Sequence, residues 1–207
     1  LLSNKFLYII FLVSFSFGLL DCGDSSDEKN KEALKDYKDP EVQLKEAKSV
    51  LGNNTRVTYL GLFDDDKKEK LAAGLEINTK DEWGIRFASL DISGDKPKKI
   101  FETQLLDGSF NSSRVEKIKL SSLDYELLFY YSGDYFLGSG GGEVFSYLVD
   151  FNDKEVYYAH LVADSKKVSL YFSNDIDNKE IENFFLNVFK KDFPSYELVS
   201  QDVVLDD

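Results

Sequence analysis

The chain has 207 residues and a formal net charge of −13, from 25 basic and 38 acidic side chains. An anionic surface of that size repels phosphate backbones, which excludes nucleic acid as a partner and leaves basic proteins or cations as the better ones. With one cysteine and no methionine, the fold stands without an internal disulfide and fills its core from 17 Phe and 12 Tyr rather than from flexible thioethers.

The first predicted element is the apolar run Phe6 to Leu20 (FLYIIFLVSFSFGLL), preceded by Lys5 and followed by Asp21 and Cys22. As a helix it would extend about 22 Å against about 30 Å of hydrocarbon, too short for a comfortable span and right for the apolar region of a secretory signal. Leu19-Leu20-Asp21-Cys22 resembles the lipobox of bacterial lipoproteins. Leu19 matches the usual leucine three residues before the cysteine, and Cys22 matches the residue that is lipidated. Asp21 stands where that family prefers Gly, Ala or Ser, which is similar to the relaxed lipoboxes of spirochaete lipoproteins.

The resemblance implies cleavage between Asp21 and Cys22, diacylglycerol on the Cys22 thiol and a lipid anchor in a bacterial cell envelope, at the outer membrane in preference to the inner. Cysteine usage points the same way, because the sole thiol of a secreted chain is a reactive liability unless it is consumed. Several acyl chains, at about 0.8 kcal/mol per buried methylene, would make the attachment permanent. Residues 1–21 are thus expected to be a signal peptide and 22–38 an acidic tether. The tether holds too few apolar side chains to offset the entropy of ordering. Residues 39–207 are expected to form a single β-rich domain.

That domain opens with a short helix: Asp39 caps it, Pro40 suits its first turn, Gly52 stops it, and Leu44, Ala47 and Leu51 form the inward stripe. From Thr55 the pattern turns to short β-branched and aromatic runs. These predict strands at 56–63, 71–78, 84–92, 99–106, 115–120, 125–131, 143–151, 155–163 and 168–173. Short connections favour an antiparallel meander. Residues 125–173 include strands apolar on both faces, such as LLFYY, and are expected at the centre of the sheet, while the N-terminal strands alternate and are expected to be half solvated.

A second helix follows, with Asp177 and Glu180 as a capping box and Ile181, Phe184, Phe185, Val188 and Phe189 as its apolar stripe. A last strand, 196–199, returns to the sheet. The predicted class is α+β: mainly an antiparallel β meander, as a sandwich or strongly curved sheet, with a short N-terminal helix and a C-terminal amphipathic helix packed on it.

Motifs for chemistry are sparse. His160 is the only histidine, on a strand face with Val156, Tyr158 and Val162, and it reads as a packed or surface residue rather than a catalyst. Gly138 to Gly142 lacks the lysine and following helix of a phosphate loop and reads as a hairpin loop. The acidic runs Asp64 to Asp66, Asp150 to Asp153 and Asp175 to Glu180 miss the oxygen ligands or glycine that a calcium loop needs, so no metal and no cofactor is assigned. The expected role is a non-enzymatic binding or structural one at the envelope, with a glycan or an extracellular protein as candidate ligand. The alternative is an envelope hydrolase or a small-ligand carrier with a cavity in the sheet. Burial of Tyr130, Tyr135, Tyr147 and Tyr158 together would argue against an aromatic binding face.

Overall fold

The computed structural model describes residues 35–111, 113–132, 141–164, 167–173, 176, 178–194 and 197–202. The expected signal peptide, the Asp21–Cys22 cleavage point, the lipidated Cys22 and the tether as far as residue 34 lie outside these, as do Tyr135, Gly138 to Gly140 and the expected cap Asp177. Among the described residues, no helix is long and apolar enough to cross a membrane.

From Lys35 onward the chain is one compact unit. Helix α1 (Pro40–Leu51) starts where the Asp39 carboxylate accepts the Glu41 N–H at 2.9 Å, and ends at Gly52, whose N–H reaches the Lys48 carbonyl. Its buried side chains are Ala47 and Gln43, the latter donating to the Tyr37 carbonyl at 2.8 Å; Leu44 is only partly covered. An amide that finds a backbone acceptor can be buried at little cost, which is why the stripe runs through a polar residue.

Strands β1 (Thr55–Gly61), β2 (Lys70–Asn78), β3 (Trp83–Asp91) and β4 (Lys98–Glu102) make a four-stranded antiparallel sheet in chain order. Strands β5 (Arg114–Lys119), β6 (Glu126–Tyr131), β7 (Gly141–Asp150), β8 (Glu155–Asp164), β9 (Lys167–Phe172) and β10 (Glu197–Asp202) make a six-stranded one. The expected meander holds from β5 to β9. The last strand departs from it, because helix α2 (Lys179–Asp192) carries the chain back along the sheet and β10 pairs parallel to β9.

Three apolar clusters separate four layers. Ala47, Leu71, Ala73 and Leu90 join α1 to the first sheet. Phe63, Ile85 and Phe87 meet Leu128, Tyr130 and Val149 between the sheets. Leu127, Phe129, Leu148 and Leu161 meet Ile181, Phe185 and Phe189 under α2. Strand β6 therefore sends alternate side chains into two cores, as its doubly apolar sequence predicts. The N-terminal strands differ from expectation. Lys70 to Leu75 of β2 are all buried, because α1 covers the face that alternation alone leaves to solvent.

Buried Lys70 is held by Asp66 at 2.6 Å and Asp64 at 3.3 Å, so the acidic turn before β2 serves as its counter-charge. Removing the cation would leave two carboxylates facing each other at the start of an interior strand.

The cap of α2 also differs from expectation: Asn178 accepts the Glu180 N–H at 2.9 Å in the role foreseen for Asp177. This frees Glu180 to reach across to the turn after β5, where it accepts from the N–H groups of Ser121 and Ser122 at 2.7 and 2.9 Å and from the Ser121 hydroxyl at 2.7 Å. Hydrogen bonds from Ser122 and Ser121 hold its carboxyl at about 2, below its ordinary 4.5. A depressed carboxyl adds stability above the unfolded value and loses it as pH falls through the folded one. Melting temperature against pH is thus expected to fall between pH 4.5 and about 2 with a shallower slope in Glu180→Gln than in the parent.

Candidate functional site

The four-stranded sheet is narrower than the six-stranded one, and the difference makes a cleft. On the inner face of the wide sheet, register sets Phe145 opposite His160 and His160 opposite Tyr171, with Tyr130, Tyr147 and Tyr158 in the next row. Toward β6 these rings lie under the narrow sheet, and Tyr130 and Tyr147 are buried. Toward β8 and β9 they line an open cleft of about 530 Å³, whose opposite wall is the segment Gln104 to Asp107 after β4. Trp83, 55 % exposed at the start of β3, borders an adjoining cavity of about 420 Å³ that shares Asp107 and Phe145 and adds Ser109, Ser132 and Glu143.

Leu106 bridges the wall to Ile85 of the narrow sheet, and Tyr147 ties it to the wide one. The Tyr147 hydroxyl donates to the Asp107 carboxylate at 3.1 Å and accepts the Asp107 N–H at 3.2 Å. Burial, then the facing carboxylate, pushes that phenol far above its ordinary value, so it remains a donor at any physiological pH. The next residue has to be glycine: Gly108 has φ 114°, and a Cβ there would strike the Tyr130 hydroxyl.

His160 stacks on Phe145 with ring centroids 4.1 Å apart and planes 7° from parallel, and its Nε2 lies 3.0 Å from Glu143 Oε2. The pair is open to solvent, with the histidine side chain 24 % and the glutamate 49 % exposed. Phe145 is also nearly parallel to Tyr147, at 14°, whereas Tyr147 on Tyr158 at 46° and His160 on Tyr171 at 41° are tilted, which gives the wall relief. Among the described residues, those lining the two cavities include the carboxylates Asp107 and Glu143 and no lysine or arginine.

The expected strand face of Val156, Tyr158 and His160 is therefore present, and His160 sits in the cleft rather than on bare surface. Of the tyrosines singled out, Tyr130 and Tyr147 belong to the core and Tyr158 is half-buried at the cleft. Trp83, Asp107, Glu143 and Tyr171 were not foreseen as site residues. The one signal in the sequence was the pairing of aromatics at alternate positions in β7 (Phe145, Tyr147) and β8 (Tyr158, His160), which says that one face is ring-rich but not that it is open.

Two of the acidic runs have other occupations, Asp64 to Asp66 beside Lys70 and Asp150 to Asp153 in a turn, while Asp175 and Asp177 lie outside the described residues. Asp150 accepts from the Tyr125 hydroxyl and from the N–H groups of Asn152 and Asp153, closing the β7–β8 turn, and burial raises its carboxyl. Among the described residues, no group of three or more His, Cys, Asp or Glu is placed to hold a metal ion. No family model, no curated protein and no solved structure matches this chain.

Proposed function

We propose that this chain is a lipid-anchored protein of a bacterial cell envelope whose β domain has a non-enzymatic role, binding a small ligand in the aromatic cleft. The observation that carries the binding role is the row Phe145, His160 and Tyr171, which among the described residues is left only partly covered where the wide sheet extends past the narrow one. Apolar walls with a few convergent polar groups are the usual make-up of a ligand site, and the volume suits a small molecule. The anchor rests on Leu19 to Cys22 and on the position of the only thiol.

A hydrolase would call for a carboxyl in the cleft pushed up toward neutrality. The carboxyls raised by burial, Asp64 and Asp150, lie elsewhere, one beside Lys70 and one in the β7–β8 turn.

The test is purification of the full protein from membranes of its native host, beside a Tyr158→Ala variant, with mass spectrometry of the mature N-terminus and of co-extracted small molecules. Acyl chains on Cys22 and a small molecule present with the parent but lost from the variant are expected. A free thiol at position 22 would remove the anchor. A co-extracted compound held equally by both proteins would remove the cleft as its site.

A further inference from the structure

The cleft selects by charge as well as by shape, and from that selection we infer that its ligand is a small alkylated ammonium compound, an organic cation of the choline type. The inference rests on the cleft being a binding site and adds the chemical class of what it binds.

Three observations converge on that class. The cleft supplies Asp107 and the adjoining cavity Glu143 as charges, and among the described residues the two linings offer an anion no lysine or arginine. The walls are ring-rich: Phe145, Tyr147, Tyr158, His160 and Tyr171, with Trp83 at the adjoining rim. Aromatic faces carry negative electrostatic potential, so rings and carboxylates attract the same guest. Phe145 lies nearly parallel to Tyr147 and His160, at 14° and 7°, but Tyr158 and Tyr171 tilt away from that plane by 46° and 41° against their neighbours, so the wall touches a rounded cation from more than one side.

The hydrogen bonds narrow the class further. Asp107 already accepts from Tyr147, and Glu143 is paired with His160. A primary amine would compete for those acceptors in order to satisfy its own N–H groups, whereas a quaternary ammonium has no N–H and needs only negative potential and apolar contact. The net charge of −13 raises the local concentration of cations around the whole molecule and adds to capture. A phosphate next to the ammonium, as in phosphocholine, would face the same two carboxylates with no counter-charge among the described residues, so free choline should bind better than phosphocholine.

Trp83 is the only tryptophan in the chain and stands at the rim, so its emission reports the site without a label. The experiment is titration of the full chain, held in a polyoxyethylene detergent, with choline, phosphocholine and glucose. Sodium chloride serves as the ionic-strength control, and melting curves establish that each variant is folded. A saturable change with choline that sodium chloride does not reproduce is expected, with phosphocholine weaker and glucose silent.

Tyr158→Ala is expected to weaken choline about tenfold by removing one ring of the wall. Asp107→Asn keeps an acceptor for Tyr147 and removes only charge, and it is expected to weaken choline by about three- to tenfold. Saturation by glucose or phosphocholine in preference to choline would overturn the ammonium assignment and leave the cleft as a ligand site. Silence toward every probe in folded protein would also overturn it. The binding role itself falls only if the compound co-extracted from the host ignores Tyr158→Ala.

Discussion

Phe185→Ala is expected to destabilise the domain by about 3–5 kcal/mol, read as a melting temperature about 10 °C lower by circular dichroism. Phe185 is fully buried between α2 and the wide sheet, against Phe172 at 6.3 Å and Phe184 at 5.9 Å between ring centroids. Truncation removes the transfer free energy of the ring and leaves a void that a β-sheet floor is poorly able to fill. The effect reaches beyond packing, because α2 is the crossover that delivers β10 to β9. Exposed Lys190 on the same helix is the control, and its change to alanine is expected to stay within about 0.5 kcal/mol. A Phe185→Ala loss as small as that of Lys190→Ala would mean that α2 does not rest on the sheet.

Gly84→Ala is expected to cost about 3 kcal/mol and to disable the cleft as well. Gly84 has φ 150°, and a Cβ there would run into the Leu106 carbonyl oxygen, where Ile85 and Leu106 exchange backbone hydrogen bonds of 2.9 and 2.8 Å. Relief of that clash pushes the 104–107 segment outward and separates Asp107 from Tyr147. Urea unfolding measures the stability loss. The Trp83 titration, run on the folded fraction, measures the loss of the wall. Gly94→Ala, at a site with room for a Cβ, is expected to change neither. Full ligand response in folded Gly84→Ala would show that the 104–107 wall is not part of the site.

Much of the fold is legible locally. Asp39, Pro40 and Gly52 bracket α1 because capping is decided by neighbours along the chain. The stripe Ile181, Phe185 and Phe189 marks α2, and the doubly apolar β6 marks the strand with a core on each side. What local pattern misreads is set by distant partners. Asn178 is the cap where spacing alone points to Asp177, and Glu180 accepts from Ser121 and Ser122 across the fold. Lys70 to Leu75 are buried on both faces because α1 lies across them. The parallel run of β10 follows from the path of α2, not from any residue in the strand.

Taken alone, the sequence determined the α+β class, the order of helices and strands, the acidic character and the expectation of a lipid anchor at Cys22. Each of these depends on composition or on spacing within about ten residues. Only the tertiary structure decided that Asp107, Phe145, Tyr158, His160 and Tyr171 share one cleft, with Trp83 and Glu143 in the cavity beside it. Whether a ring-rich face becomes core or site depends on what lies over it, and here that is the difference in width between a four-stranded and a six-stranded sheet.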